Sequence, residues 1–455
     1  MSRPAPERHG LTEPTTPPKG SLTMKSTRRG RANSALRAVI ALPLAGTLLL
    51  SACAGGDDEG GSGDGPIKVG VVAALTGIAA PYGVQSLNSF KLAVEDINEA
   101  GGIDGRDLEV VALDNRSKPE EVPALMRRLV GEDVNIILGA SSTPLTATGA
   151  QAADQLKVPL LVPMEAGDVI IGEGRKYVFK LAPSVLADQG WAAQSIRAAA
   201  QGAEKAGDPI KTAYMIHAST GAYPEAKIAW ERTLKKEYPD VDLIETISFD
   251  EASTSDFGPL VAKAKAANPD LLIFGGNPQS AFQFYPALQD SGWQPKATVG
   301  ALGGNTNAQF IPTVGAEAAD GDIAGNYWTA ELEAGKNAKQ TPQGFVDDYK
   351  EAYDGQVPDG VGAYYYSAGA VVAEALREVD DVNDKEAISK ALREVDIAGI
   401  NGDDDGLYIV SHGVDFNEKG FNAAAVGLVT QIQGGKYLPV FPADVATAEI
   451  TYPKR

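Results

Sequence analysis

The chain has 455 residues, with 60 Asp and Glu against 40 Lys and Arg, a formal charge of −20, and a single cysteine. The first 52 residues hold eight basic and two acidic side chains, a surplus of +6, so everything after them carries about −26. Such an acidic body is a poor partner for nucleic acid or for anionic lipid. The lone Cys53 excludes an internal disulfide.

Residues 1–23 are unlike a targeting signal, and Met24-Lys25 is a candidate start. Lys25, Arg28, Arg29, Arg31 and Arg37 then precede an apolar run from Ala38 to Leu50, closed by small residues. Basic, apolar, then small is the order of a secretory signal. The run falls short of the roughly 20 residues that a membrane span needs, and Pro43 and Gly46 interrupt it. Leu50-Ser51-Ala52-Cys53 resembles the bacterial lipobox, whose cysteine takes a lipid and becomes the mature N-terminus. An ordinary signal peptide with an incidental cysteine is the alternative. Residues 1–52 are thus expected to be a signal peptide, and 53–65 a lipidated, flexible acidic linker. That linker lacks the Lys-Ser/Thr ending of a phosphate loop. About 400 residues follow, enough for two domains.

From Pro66 the chain alternates buried strands with amphipathic helices. Ile67–Ala73, Leu108–Leu113, Val134–Leu138 and Val158–Val162 read as strands. Between them, Leu87, Phe90, Val94 and Ile97 recur at helical spacing up to Gly101-Gly102. Further helices are expected over Pro119–Val130 and from Pro144. The alternation restarts with strands at Ala213–Ile216, Val241–Phe249, Leu271–Phe274 and Ala297–Gly300, separated by three helices. Two such runs predict two α/β domains with parallel sheets covered on both faces. The last third offers helices near Phe345–Tyr353, Val361–Val379 and Lys385–Val395, then a strand-like pair at Leu407–Phe416 and Ala423–Gln433. These are too few for a third domain and are expected to complete the first two.

Ile67-Lys68-Val69-Gly70-Val71-Val72, then Leu75-Thr76-Gly77 and Tyr82-Gly83, resembles the opening of type I periplasmic solute-binding proteins. The nearest group is the leucine/isoleucine/valine-binding proteins of ABC transporters. Ala93-Val94-Glu95-Asp96-Ile97-Asn98 with Gly101-Gly102-Ile103-Asp104-Gly105 carries the likeness further. So do Asp188-Gln189-Gly190, Phe345-Val346-Asp347-Asp348-Tyr349 and Asp415-Phe416-Asn417-Glu418-Lys419-Gly420. The resemblance implies two Rossmann-like lobes, a three-strand hinge and a ligand in the cleft. Crossings are expected near Leu181–Pro183, Gly325–Trp328 and His412–Val414. Lobe 1 would be 66–182 plus 326–411, and lobe 2 would be 183–325 plus 412–455.

The loop Gly139-Ala140-Ser141-Ser142-Thr143-Pro144 follows a strand and opens a helix. Thr143 fits an N-cap and Pro144 the first helical position. Free N–H groups beside hydroxyls make a carboxylate site, and the family uses this loop for a ligand carboxylate. Ser142 and Thr143 equally serve as plain caps. Where the family's amino-acid binders hold the ligand ammonium, this chain aligns Ala166 and Leu302, which lack the hydroxyl and the carboxylate. Either Glu165 supplies the charge, or the ligand is not an α-amino acid. Tyr82 and Tyr223 align with cleft tyrosines. Asn277 replaces a third aromatic residue, and serves either as an amide contact or as a cap before Pro278.

No catalytic constellation is found. His217 and His412 are isolated, no Gly-x-Ser-x-Gly elbow occurs, and no zinc ligand set or dinucleotide loop is present. Asn401, Asp403, Asp405 and Gly406 imitate a calcium loop, but His412 stands where a bidentate Glu is required. No cofactor or metal is therefore expected. The expectation is a monomeric, lipid-anchored receptor outside the cytoplasm that delivers an amino acid, amide, urea-like compound or carboxylate to an ABC permease. A ligand sensor of the same fold, signalling without transport, is the alternative.

Overall fold

A computed structural model describes residues 65–172, 174–336, 338–400 and 407–454. The signal and linker segments, Cys53 and the 401–406 loop lie outside these. The first half is built by β1 (Ile67–Ala73), α1 (Ala80–Glu99), β2 (Leu108–Asp114), α2 (Val122–Gly131), β3 (Ile136–Leu138), α3 (Thr143–Leu156), β4 (Leu160–Val162) and β5 (Val178–Lys180). Its sheet has the order β2-β1-β3-β4-β5, all parallel. Residues of β1 and β3 are almost wholly buried, as a sheet covered on both faces requires. Gly83 lets α1 start against the end of β1, since a Cβ there would lie 2.1 Å from the Ala74 carbonyl oxygen.

The second half contains α4 (Trp191–Lys205), β6 (Thr212–Ala218), α5 (Tyr223–Glu237), β7 (Asp242–Phe249), α6 (Gly258–Ala267), β8 (Leu271–Gly275), α7 (Pro278–Asp290), β9 (Ala297–Gly300), α8 (Phe310–Val314), α9 (Ala316–Ala319) and β10 (Ile323–Asn326). The chain then returns as α10 (Pro342–Ala352), α11 (Gly360–Arg377) and α12 (Lys385–Glu394), followed by β11 (Asp396–Ile397) and β12 (Val414–Asp415). It ends in a hairpin of β13 (Leu428–Gln433) and β14 (Lys436–Phe441). The second sheet has the order β14-β13-β10-β9-β8-β6-β7. Its core is parallel, but β13 runs antiparallel to both β10 and β14, so this sheet is mixed.

The chain's return explains the C-terminal third. α11 lies along α1 so closely that a Cβ on Gly369 would stand 2.6 Å from that of Ala93. Tyr353 donates to the Asn88 carbonyl, and Gln85 accepts from the Gly362 N–H. Three local expectations change. Residues Ile323–Asn326, which overlap the crossing expected at Gly325–Trp328, form a full strand of the second sheet. The pair expected at Leu407–Phe416 and Ala423–Gln433 is displaced: the hairpin strands are β13 and β14, and only Val414–Asp415 of the earlier segment is strand. The third crossing also comes later than His412–Val414. β12 pairs with β11, and Phe421 bridges to Lys180 of β5, so the chain passes to the second sheet between Phe421 and Leu428.

The three crossings are tied together by polar contacts. Lys180, fully buried, donates to the carbonyls of Ala182 (3.1 Å) and Pro183 (2.8 Å) and lies 3.5 Å from the Asp168 carboxylate. Burial lowers its pKa. The Tyr327 hydroxyl donates to the Pro183 carbonyl, and the Asn422 amide to the carbonyls of Leu181 and Gly413. His412 sits beneath them, with Nε2 2.7 Å from the Tyr364 hydroxyl and Nδ1 2.9 Å from the Gly413 carbonyl.

Candidate functional site

The loops at the carboxyl ends of the strands face one another across the two halves, where open parallel sheets bind ligands. From the first sheet come the loop after β1, the Ser141-Ser142-Thr143 turn after β3 and the Met164–Gly167 loop after β4. The second sheet supplies the starts of α5 and α7 and the 301–309 loop after β9. The space left between them is about 10 Å³, room for roughly one water. Tyr82, Met164 and Asp359 line it from the first half, and Leu302, Gly303 and Thr306 from the second.

The β3–α3 turn differs from expectation by one residue. Ser142, not Thr143, occupies the N-cap position, with extended backbone and no side-chain bond to its own helix. The Thr143 hydroxyl instead accepts from the Gly167 N–H at 3.2 Å, joining the two first-half loops. Ser141 adopts φ 77°, and its hydroxyl accepts from the Ala74 N–H.

Glu165 is only 5% exposed. One carboxylate oxygen accepts from the Ser141 N–H (2.9 Å) and the Tyr365 hydroxyl (2.8 Å), and the other from the Met164 N–H (3.3 Å). It braces the two loops against α11 and is absent from the lining of the inter-lobe space. Ala166 beside it is half-buried against the core.

Tyr82 of α1 and Tyr223 at the start of α5 meet across the cleft. Each hydroxyl lies 3.6 Å from where a Cβ on Gly303 would be, and Tyr223 donates to the Leu302 carbonyl at 3.4 Å. Burial raises both phenol pKa values strongly; the charges of Asp359 and Glu251 add to the effect on Tyr82. Leu302 is buried and lines the space. Asn277 caps α7, accepting from the Ser280 N–H at 2.8 Å, while its own N–H donates to Glu251 at 2.7 Å.

Two features escape sequence reasoning. Asp359 caps α11 by accepting from the Val361 N–H, yet its other oxygen faces the Asn307 amide and the Ala308 N–H of the second half. A Pro-Asp-Gly before an apolar helix signals the cap; nothing local signals the cleft. Glu225 of α5 reaches the first half and accepts from the N–H groups of Asp168 (2.8 Å) and Val169 (3.3 Å). Burial raises its pKa. His217, near the end of β6, is buried with Nδ1 on the Ala218 carbonyl. Among the described residues no group of three or more His, Cys, Asp and Glu could hold a metal ion, and no helix is long and apolar enough to cross a membrane.

Comparison with known proteins agrees with this architecture. Residues 66–409 match the family described as Periplasmic binding protein. A Leu/Ile/Val-binding protein homolog 7 of Brucella abortus is 25% identical over 391 residues, covering 85% of this chain and 94% of that one. Among solved structures, the isoleucine complex of a branched-chain amino acid transporter substrate binding protein from Streptococcus pneumoniae superposes with a TM-score of 0.68. It is 22% identical, over 85% of this chain and all of that one. A solute binding protein of an R. palustris ABC transporter, in complex with benzoate, gives a TM-score of 0.67 at 20% identity, over 85% and 98% of the two chains.

Proposed function

Since this chain belongs to the periplasmic binding protein family, we propose that it is the extracytoplasmic solute receptor of an ABC importer. In this reading it is tethered through a lipid on Cys53 and works as a monomer. Lobe 1 comprises 66–182 with 327–421, and lobe 2 comprises 183–326 with 422–455. A small polar molecule enters when the lobes part and is enclosed when they close, a shift between two states that only a ligand touching both lobes can drive. The ligand is a branched-chain amino acid or a related amino acid, amide or carboxylate, consistent with the isoleucine and benzoate complexes of proteins sharing the fold.

The observation that carries this reading is the apposition of Tyr82 from the first half with Gly303 from the second beside one inter-lobe space, with the Tyr223 hydroxyl against the same Gly303. Ser142 and Thr143, at the start of α3, are the proposed site for a ligand carboxylate, with Ala166 and Leu302 shaping the walls. Asn277 and Glu165 act by holding the loops. No chemistry beyond binding is needed, and the lining residues supply no nucleophile paired with a base.

A thermal-shift and calorimetry screen of the protein tests it, using leucine, isoleucine, valine, simple amides, urea and benzoate. A ligand at a hundred times its Kd adds about 2.7 kcal/mol of stability. Stabilisation by at least one solute, with a smaller radius of gyration on binding, is expected; unchanged dimensions at saturation would sink the hinge mechanism. For the anchor, wild type is expected to partition with membranes and Cys53→Ser to be released.

A further inference from the structure

Resting on that reading, we propose that Asp359 is the specificity-determining residue of the cleft, and that its carboxylate selects ligands bearing a positively charged nitrogen. The argument begins with the lining. Among the described residues around the inter-lobe space, Asp359 is the only one with an ionisable acid or base other than the phenols of Tyr82 and Tyr327. Asp359 also borders a neighbouring opening lined by Lys350 and Lys436, and Lys436 is paired there with Glu331 at 2.9 Å.

Its hydrogen bonds leave part of the carboxylate open. One oxygen accepts from the Val361 N–H at 3.0 Å. The other meets only the Asn307 amide at 3.3 Å and the Ala308 N–H at 3.4 Å, both long. A carboxylate has about four acceptor positions, so room for a strong donor remains. Burial pushes its pKa up to about 6. A partly buried carboxylate with a free acceptor position gains from a ligand cation.

The surroundings favour the same charge. Glu251 of the second half adds negative potential at Tyr82, which lines the same space. Asp359 also stands at the junction of the lobes, so a cation held there touches both sides and favours closure. Glu165, the other acid considered for this role, is already committed to Ser141, Met164 and Tyr365.

Three probes with one carbon skeleton test the assignment by calorimetry: leucine, isoamylamine (no carboxylate) and 4-methylpentanoate (no ammonium). Asp359→Asn removes the charge yet keeps a good N-cap. Wild type is expected to bind leucine and isoamylamine and to discriminate against 4-methylpentanoate. Asp359→Asn should weaken the two ammonium probes about 30-fold or more and leave 4-methylpentanoate within about threefold. Equal affinity of both proteins for the ammonium probes overturns this assignment alone. So does wild-type binding of 4-methylpentanoate, benzoate or urea with none of the ammonium probes. Failure of every solute in the wider screen overturns the receptor reading with it. The wild-type preference needs no variant, so a poorly folded Asp359→Asn protein does not shield the proposal.

Discussion

Replacing Glu225 by Ala should open the protein without touching its ligand. The carboxylate of this α5 residue accepts N–H groups of Asp168 and Val169 in the first half, at 2.8 and 3.3 Å. Hydrogen bonds to charged groups contribute about 1.5–3 kcal/mol each. The second bond is long and the side chain only half-buried, so about 1.5–3 kcal/mol for the pair is a reasonable total. In an open form the side chain is solvated and its loss costs little. The closed-to-open ratio should therefore fall by about 10- to 150-fold. If the ligand-free protein is mainly open, the whole factor appears as a weaker apparent Kd. Glu225→Gln, which keeps an acceptor but no charge, should fall between. Calorimetry gives the affinity and small-angle scattering the dimensions. An affinity within twofold of wild type, with unchanged scattering at saturation, would refute the reasoning.

Stability should carry a signature of His412, whose pKa burial lowers to about 4. Between about 6.5 and 4 the unfolded chain binds this proton and the folded one does not, so its contribution is full above 6.5 and is lost as pH falls. The destabilisation caused by His412→Gln, measured in urea, should thus shrink by about 2 kcal/mol from pH 7.5 to pH 5; a pH-independent difference contradicts this. Lys180→Met removes the donor to Ala182 and Pro183 and strips Asp168 of its cation. A loss of about 3–5 kcal/mol in denaturant is expected, partly restored by adding Asp168→Asn. Gly427→Ala places a Cβ 2.2 Å from the Trp191 backbone nitrogen at the third crossing. It should cost at least about 2 kcal/mol, visible as a lower Tm.

Much of the fold is written locally. β1, with six of its seven residues buried, and β9, at Ala297–Gly300, need no distant partner to be recognised as strands. Helix α11 announces itself by its apolar content, α12 by amphipathic spacing and an Asp384 cap. The short elements were harder. β5 has three residues and β10 four, both next to crossings, and neither has enough periodicity to stand out. Their identity as strands comes from neighbours: β4 beside β5, β9 and β13 beside β10.

The same division runs through the site. The chain's own order of motifs determined the two-lobe α/β architecture; the Ser142-Thr143-Pro144 turn stood out as a helix start, whereas Tyr82 and Tyr223 were marked only by the resemblance to the family. Only the tertiary structure decided what those loops do with their charges. Glu165 and Asp359 are both acids near helix or loop starts. One is consumed by Ser141, Met164 and Tyr365; the other is left facing the second half. Their difference depends on residues as many as 200 positions apart in the chain. Burial and partner choice are properties of the packed whole, and no local pattern carries them.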